Sequence, residues 1–289
     1  MDSTTSNFLT TNHHSDKTAI AYSLHQHRGS NLPVLVLIHG VCHSRHAWDD
    51  VITHLVNDFR VITVDLPGHG ESGRPALKTS ASEDMGKRML AELRAFLDEL
   101  STTLPGADAK PHIAGNSLGG YFALELARQG YAASAVAFNP AGFFHGKLDQ
   151  IRTASQFLVL YGTAKVLRKL LPTMAKTKVG RTAMFGMFSA RPWKLSPEQV
   201  SRDAAGLLKN NIFLSALDTE FSFSADTGQA AQTCYWGTTD LTLIRGWKRH
   251  YDVLPNAELH LLPKLGHVPM VDDARQVAAA IMASAQPRP

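Results

Sequence analysis

The sequence predicts an α/β protein built on a mostly parallel β-sheet with helices on both faces. Short continuous apolar runs, typical of strands buried on both faces, alternate along the chain with stretches of helical periodicity. Strands that alternate with helices favour a parallel sheet covered on both sides. The alternation stops after Pro140 and resumes at Gln232, so we expect a helical insertion within the sheet-forming part of the chain.

Apolar runs predict the strands. Residues 18–26 alternate apolar and polar side chains and are predicted to form a half-buried edge strand. Residues 33–38 are continuously apolar, so their strand is predicted to be central. Further strands are predicted at residues 60–65, 111–114, 132–138, 232–236 and 259–262.

Helical periodicity predicts the elements between these strands. In the stretch that begins at Ser82, apolar side chains recur on one face of a helix up to Leu100. Other helices are predicted at residues 118–128, 243–251 and 272–283. Residues 141–224 carry a net charge of +7, which leaves −3 for the rest of the chain. We therefore expect residues 1–140 and 225–289 to form the core domain and residues 141–224 a separate insertion.

Composition and charge argue against several classes of protein. The chain has 289 residues and 44% hydrophobic content, enough for a large core, but no run approaches the roughly 18 apolar residues of a transmembrane helix. Residues 1–17 are polar and lack the apolar region of a secretory signal, so a cytoplasmic location is expected by default. A net charge of +4 is too weak to indicate nucleic-acid binding. The oligomeric state stays open.

The cysteines and histidines indicate neither a disulfide framework nor a metal site. Cys42 and Cys234 are the two cysteines of the chain. The fourteen histidines lack the close spacing of zinc ligands, and the stretch from Cys42 to His46 is predicted to be an ordinary polar loop. We therefore expect no metal site.

The stretch Gly115-Asn116-Ser117-Leu118-Gly119-Gly120 carries the strongest functional signal. It lies between a predicted strand and a predicted helix, which is the context that a G-x-S-x-G turn requires. Glycines on either side let the chain turn sharply and expose the serine hydroxyl at the sheet edge. Ser117 is therefore the candidate nucleophile.

A serine nucleophile needs a histidine base and an acid that orients the base. In this architecture both follow the serine, in the order acid and then histidine. Asp240 follows the strand at residues 232–236, and His267 follows the last strand, so we expect Asp240 to orient His267. The alternatives, a turn or capping aspartate and a surface histidine, stay open. His39 and His69 precede Ser117 and are interpreted as structural.

The tetrahedral intermediate of acyl transfer needs hydrogen-bond donors for its oxyanion. The predicted donors are the backbone N–H groups of Leu118, directly after the serine, and of Val41, in the loop after His39-Gly40. Because backbone atoms supply these donors, both residues can have ordinary apolar side chains.

Several motifs together carry a family resemblance. They are His39-Gly40, Asp-Leu-Pro-Gly-His-Gly-Glu-Ser at residues 65–72, the turn at residues 115–120, Gly237 with Asp240, and Gly266-His267-Val268-Pro269. With these motifs the chain resembles the α/β-hydrolase superfamily over most of its length outside residues 141–224. The resemblance implies an eight-stranded sheet, a helical cap inserted after the sixth strand, and a cofactor-independent Ser-His-Asp hydrolase. We expect a serine hydrolase that cleaves small carboxylic esters with an apolar acyl or aromatic group, through an acyl-enzyme.

Other activities of the same superfamily are weighed against this expectation. Dehalogenases and epoxide hydrolases of this fold use an aspartate where this chain has Ser117, so both are excluded. The Gly-Asn-Ser-Leu-Gly-Gly turn is similar to that of hydrolases that cleave carbon–carbon bonds in ring-fission products, but those commonly carry an aromatic residue where this chain has Val268. Two further alternatives are perhydrolysis as a side activity and a role as a hydrolase-like ligand receptor with little turnover.

A basic run lies within the insertion. Between Lys165 and Lys194 there are eight Lys and Arg residues and no Asp or Glu. Such a run is usually a solvated face. The alternative hypothesis is that it attracts anionic substrates or an anionic lipid surface.

Overall fold

An eight-stranded sheet forms the centre of the protein. The computed structural model describes residues 2–11, 18–27, 31–74, 84–104, 109–210, 212–217, 219–225 and 228–285. The strands are β1 (Asp2–Thr11), β2 (Thr18–His27), β3 (Val34–Ile38), β4 (Arg60–Val64), β5 (His112–Asn116), β6 (Ser134–Phe138), β7 (Ala231–Gly237) and β8 (Glu258–Leu262).

The strand order is β1-β2-β4-β3-β5-β6-β7-β8. β1 with β2 and β2 with β4 pair antiparallel, and every other neighbouring pair is parallel, which confirms the predicted mostly parallel sheet. β3 lies inside the sheet between β4 and β5, as its continuous apolar run predicts. The parallel strands end at one edge of the sheet, where open α/β sheets place their ligands.

The prediction of an edge strand at residues 18–26 is wrong in position. These residues form β2, but β1 pairs with the outer side of β2, and β1 is the edge. The sequence of β1, rich in Ser and Thr, has no apolar alternation that would predict a strand. An edge strand needs no buried face to gain its backbone hydrogen bonds, so its sequence need not show one.

Helices cover the sheet. They are α1 (Asp49–Ile52), α2 (Met85–Thr103), α3 (Leu118–Arg128), α4 (Lys147–Val166), α5 (Leu171–Ala175), α6 (Lys178–Phe185), α7 (Pro197–Lys209), α8 (Phe213–Leu217), α9 (His250–Val253), α10 (Pro269–Asp272) and α11 (Ala274–Ala285). The helix predicted from residue 82 begins at Met85, where the Asp84 side chain accepts a hydrogen bond from the Lys87 amide at 2.9 Å and caps the helix.

Helices α4 to α8 all lie between β6 and β7, and no strand is found among the described residues of that stretch. The helix predicted at residues 243–251 begins later than expected. Gly246–Arg249 forms a 3₁₀ turn and α9 follows it, because Arg245 has a φ of 55°, in the left-handed region, which an α-helix cannot include. In the part of the chain that the structure describes, every helix is too short or too polar to cross a membrane.

Candidate active site

Ser117 lies between the end of β5 and the start of α3, in the strand–turn–helix arrangement that its motif predicts. Glycines are required on both sides by close packing. A methyl group at Gly115 would overlap the Gly119 carbonyl, and a methyl group at Gly119 would overlap the Ile38 carbonyl in β3. The absence of side chains thus lets α3 begin directly against the strands.

The backbone of Ser117 is held in a conformation that side-chain-bearing residues rarely adopt. Its φ is 54°. The Ser117 amide donates to the Phe138 carbonyl at 2.9 Å, and the Ser117 carbonyl accepts from the amides of Tyr121 and Ala141, each at 3.0 Å. These bonds to β6, α3 and the following loop fix the turn from three directions.

Asp240 and His267 form a buried hydrogen-bonded pair. Nδ1 of His267 lies 2.8 Å from Oδ2 of Asp240, and both side chains are almost completely buried. The other carboxylate oxygen of Asp240 accepts hydrogen bonds from the amides of Thr242, at 2.7 Å, and Leu243, at 2.9 Å. The backbone amides of its own turn therefore orient the carboxylate toward the imidazole of His267.

The pairing defines which nitrogen of His267 is free. A carboxylate accepts the Nδ1 proton, so the neutral ring has its lone pair on Nε2. Nε2 is buried and has no hydrogen-bond partner among the described residues, so it is not hydrogen-bonded to the Ser117 hydroxyl in this structure. Such bonds are often long in enzymes without substrate. In the neutral ring, Nε2 is thus the nitrogen that is available to accept a proton.

Asn116 and Asn139 tie the His267 loop to the strand ends, and sequence reasoning missed both. The side-chain amide of Asn116 donates to the His267 carbonyl at 2.8 Å, and that of Asn139 donates to the same carbonyl at 2.9 Å. Because Asn116 directly precedes Ser117, the backbone of His267 is anchored beside the serine turn. The signal available in the sequence was an asparagine at or directly after the end of an apolar strand, where a polar side chain needs hydrogen-bond partners if it is buried.

The loop that carries Val41 is oriented by two histidines. Nδ1 of His39 donates to the Gly40 carbonyl at 2.7 Å, and Nε2 of His39 accepts from the Leu66 amide at 3.0 Å. Burial holds the pKa of His39 well below its usual range, consistent with this neutral ring. Nε2 of His69 lies 2.8 Å from the Val41 carbonyl, which also receives the Asn210 side-chain amide at 2.9 Å.

These contacts set the direction of the Val41 amide. In a planar trans peptide the N–H points opposite to the C=O, so fixing the Gly40 carbonyl fixes the Val41 N–H. A methyl group at Gly40 would lie 3.2 Å from the Ser117 Cβ, which places this peptide against the serine. Leu118 is the first residue of α3, and its N–H is one of the amides that a helix leaves without an intrahelical partner.

A mostly apolar cavity of about 50 Å³ brings three of the predicted site residues together. Val41, Ser117 and Leu118 all line it. So do Thr242 and Leu243, whose amides hold Asp240. The remaining lining residues are Ala141, Phe144, Gln150, Thr153, Ala154, Phe157, Ala216, Leu217 and Phe221.

A larger apolar cavity of about 190 Å³ lies next to the loop that carries Val41. Cys42 and His43 of that loop line it together with residues from α4, α5, α6 and α7. It includes one buried acid, Asp203, whose two carboxylate oxygens have no hydrogen-bond partner among the described residues. Burial raises the pKa of Asp203 to about 7 and lowers the pKa of His43 to about 4, so both groups are mainly neutral near pH 6. Nε2 of His43 and Oδ2 of Asp203 are 4.0 Å apart.

The prediction of an ordinary polar loop at residues 42–46 is wrong. Cys42, His43 and Arg45 are buried. Arg45 forms an ion pair with the buried Asp65, and the Arg45 amide donates to the same carboxylate at 2.6 Å. This pairing neutralises the buried charges, so the loop can be buried.

Among the described residues no group of three or more His, Cys, Asp or Glu side chains could hold a metal ion.

Comparison with known proteins identifies the family. Residues 35–280 match the alpha/beta hydrolase family. The chain is 27% identical over 254 residues to the dihydrolipoyllysine-residue acetyltransferase component of the acetoin cleaving system of Pseudomonas putida, covering 86% of this chain and 62% of that relative's length. It is 24% identical over 288 residues to human (Homo sapiens) monoacylglycerol lipase ABHD6, covering 93% of this chain and 80% of the lipase.

A solved structure has the same fold. The crystal structure of a hydrolase from Pseudomonas aeruginosa PA01 superposes with a TM-score of 0.71 at 20% sequence identity, covering 98% of each chain. At this identity the superposition establishes the fold alone. The family match spans the serine turn, the Asp240–His267 pair and most of the sheet. The chain belongs to the alpha/beta hydrolase family.

Proposed function

We propose that the protein is a serine hydrolase of carboxylic esters. The single observation that carries the proposal is the buried Asp240–His267 pair, which leaves Nε2 of His267 as a free proton acceptor in the loop anchored beside Ser117. A constellation of this kind is recognised by its geometry and roles. The similarity to a monoacylglycerol lipase over 93% of the chain supports an ester as the substrate.

In the proposed reaction the Ser117 hydroxyl attacks the ester carbonyl while Nε2 of His267 takes the hydroxyl proton. A bond forms between Oγ and the carbonyl carbon, and the carbonyl π-electrons move to the oxygen, which becomes an oxyanion. Asp240 stabilises the resulting imidazolium through its hydrogen bond to Nδ1. The amides of Val41 and Leu118 are the proposed donors to the oxyanion, and one such donor contributes about 10² to 10³ in kcat.

Collapse of this intermediate expels the alcohol. The C–O bond to the leaving group breaks, and the imidazolium returns its proton to the departing oxygen. This leaves an acyl group on Ser117. Water then attacks the acyl carbon with His267 again as the base, and the acid is released with the free serine. The whole cycle consumes one water and requires no cofactor.

Residues 141–224 are proposed to act as a cap over this site. Side chains from α4 and α8 line the cavity at Ser117, and side chains from α4, α5, α6 and α7 line the larger cavity next to the Val41 loop. Phe157 in α4 and Phe188 after α6 pack with ring centroids 6.0 Å apart at the junction of the two linings. Apolar walls of this kind favour an ester with an apolar acyl or aromatic group.

The proposal is tested with p-nitrophenyl esters of increasing acyl length. The wild-type protein should hydrolyse at least one of them, and Ser117→Ala should lose several orders of magnitude in kcat, since removal of a triad serine elsewhere costs about 10⁶. Ser101→Ala, at an exposed serine of α2, is the matched control and should retain full activity. Retention by Ser117→Ala of more than about a tenth of the activity would defeat the assignment. A thioester, a lactone and a vinylogous diketone, run in parallel, distinguish ester cleavage from carbon–carbon cleavage.

A further inference from the structure

Helix α4 presents a largely apolar face to solvent. Among the described residues, nine of the thirteen exposed large hydrophobic side chains lie between residues 141 and 224. Five of the nine lie on α4: Leu148 is 84% exposed, Ile151 51%, Leu158 48%, Val159 69% and Val166 82%. Exposed apolar residues scattered singly are normal on a protein surface, but several on one helix are not.

The exposed residues share one side of the helix. At about 100° per residue, positions 148, 151, 158, 159 and 166 fall within an arc of about 100°. Exposed Ser155 and Gly162 fall in the same arc, so it carries no charge. The opposite side packs inward and buries Thr153, Phe157 and Ala164. The helix is therefore apolar on both sides, and one of these sides is exposed to solvent in the described part of the chain.

Basic residues flank this face. Lys147 and Lys165 are exposed at its border, and Arg168, Lys169 and Leu170 are exposed in the turn that follows. From residue 150 to residue 197 the chain has no Asp or Glu. We define the α4 surface by its apolar residues Leu148, Ile151, Leu158, Val159, Val166 and Leu170 together with its basic residues Lys147, Lys165, Arg168 and Lys169.

We propose that the α4 surface docks onto an anionic lipid bilayer. An apolar helix face with a basic border has the composition that inserts at the interface of acidic membranes. Each Lys or Arg near such a surface adds to the attraction of the leaflet, and the apolar side chains gain by leaving water. A second copy of this chain is a poorer occupant, because the docked copies would bring like charges together.

The position of α4 connects this surface to the cavities. Ala154 and Phe157 of α4 line the cavity at Ser117, and Leu160 and Ala164 line the larger apolar cavity. The single helix α4 thus separates the proposed membrane contact from both cavities. A consequence that rests on the proposed esterase function is that the substrates are esters of lipids, which reach Ser117 from the bilayer past α4.

The docking is tested by sedimentation of the full chain with vesicles. Phosphatidylcholine vesicles are compared with vesicles of equal parts phosphatidylcholine and phosphatidylglycerol. The wild-type protein should bind the anionic vesicles much more strongly, and added salt should release it because salt screens surface charge. Ser117→Ala should bind as the wild type does, so binding is measured independently of catalysis, and failure of the esterase proposal leaves this result unaffected.

Variants locate the contact. Arg168→Glu with Lys169→Glu, and separately Leu158→Glu with Val159→Glu, should each weaken partitioning onto anionic vesicles by about tenfold or more. Leu261→Glu with Arg275→Glu, on β8 and α11, is the matched control and should bind like the wild type. All four altered sites of the test variants are exposed, and thermal unfolding checks that each variant folds. Equal binding to both vesicle types, unchanged binding by both test variants, or a stable dimer that the α4 substitutions dissociate would overturn the proposal.

Discussion

The side-chain amide of Asn139 donates a hydrogen bond to the backbone carbonyl of His267 at 2.9 Å, although the two residues are 128 positions apart. The same amide donates to the Gly266 carbonyl at 3.0 Å, and the Asn139 side-chain oxygen accepts from the Gly237 amide at 2.7 Å. One buried side chain thus joins the end of β6, the end of β7 and the His267 loop. The backbone φ of Asn139 is 44°, in the left-handed region, which asparagine tolerates better than most residues.

Replacement of Asn139 by alanine should therefore destabilise the protein and impair the site together. The Gly266 carbonyl and the Gly237 amide would lose their Asn139 partner, at a cost of about 1 to 3 kcal/mol each before relaxation, while the His267 carbonyl would keep the hydrogen bond from Asn116. We expect the free energy of unfolding, measured in denaturant, to fall by about 2 to 4 kcal/mol, and kcat to fall with it. Asn139→Asp keeps the shape and the acceptor but removes the donors, so it should be similarly destabilised. If Asn139→Asp has the same free energy of unfolding as the wild type, these donors contribute little.

The Asp240–His267 pair predicts a defect in Asp240→Asn with little change in shape. The Asn oxygen can still accept from the Thr242 and Leu243 amides, which puts the Asn NH₂ group opposite Nδ1 of His267. Two donors then face each other, and the ring must change tautomer, so that Nε2 carries the proton. We expect ester kcat to fall by about 10³ to 10⁴ with thermal stability nearly unchanged. A loss below about tenfold would exclude Asp240 as the orienting acid.

Steric packing at the serine turn predicts a contrast between two glycines. Gly119→Ala would drive a methyl group into the carbonyl oxygens of Ile38 and His39, which are held in the sheet and its loop. We expect severe destabilisation, above about 4 kcal/mol, or failure to fold. Gly162→Ala in α4, where a methyl group meets nothing within 4 Å, is the control and should add up to about 1 kcal/mol of stability. Equal unfolding temperatures for the two variants would contradict this packing.

The buried carboxyl of Asp203 predicts a pH-dependent stability. Burial is the main cause of its raised pKa; Asp49 adds to the shift, while Arg202 and His46 oppose it. Because the pKa rises from 3.8 unfolded to about 7 folded, the folded state holds this proton more tightly. The stability of the wild type should therefore decrease as the pH rises through that window, by up to about 4 kcal/mol from this group.

Removal of this group should abolish that part of the pH dependence. Asp203→Asn should gain stability relative to the wild type by about 2 to 3 kcal/mol between about pH 5 and about pH 8, measured by denaturant unfolding at each pH. Asp58→Asn, at an exposed position, is the control for removal of a carboxylate. Parallel stability curves for the wild type and Asp203→Asn would show that Asp203 is ionised throughout this range.

Much of the fold could be predicted because its signals are local. The buried strands are continuous apolar runs, and the Ser117 turn depends on glycines that adjoin it in the sequence. β1 could not be predicted in this way, because it is held by backbone pairing to β2 and its own side-chain pattern is polar. The helix predicted at residues 243–251 starts late because Arg245 has a left-handed backbone, which no local residue pattern indicates.

The supports of the site escaped prediction for a different reason. Asn116 and Asn139 act by donating to a loop far along the chain, and one sequence does not show which carbonyl will lie opposite them. Similarly, the stretch from Cys42 to His46 looks polar, but Asp65 neutralises Arg45 and Asp203 approaches His43 from a helix 160 positions away. Tertiary partners decide whether such groups can be buried.

Covalent labelling with a fluorophosphonate tests the central claim most directly, because the reagent requires a serine hydroxyl activated by a base. The wild-type protein should gain one adduct, which peptide mass mapping should place on Ser117. The adduct should be absent in Ser117→Ala and form far more slowly in His267→Ala, each confirmed as folded by thermal unfolding. A folded wild-type protein that takes up no label, or one labelled at another serine to the same extent when Ser117 is alanine, would contradict the account.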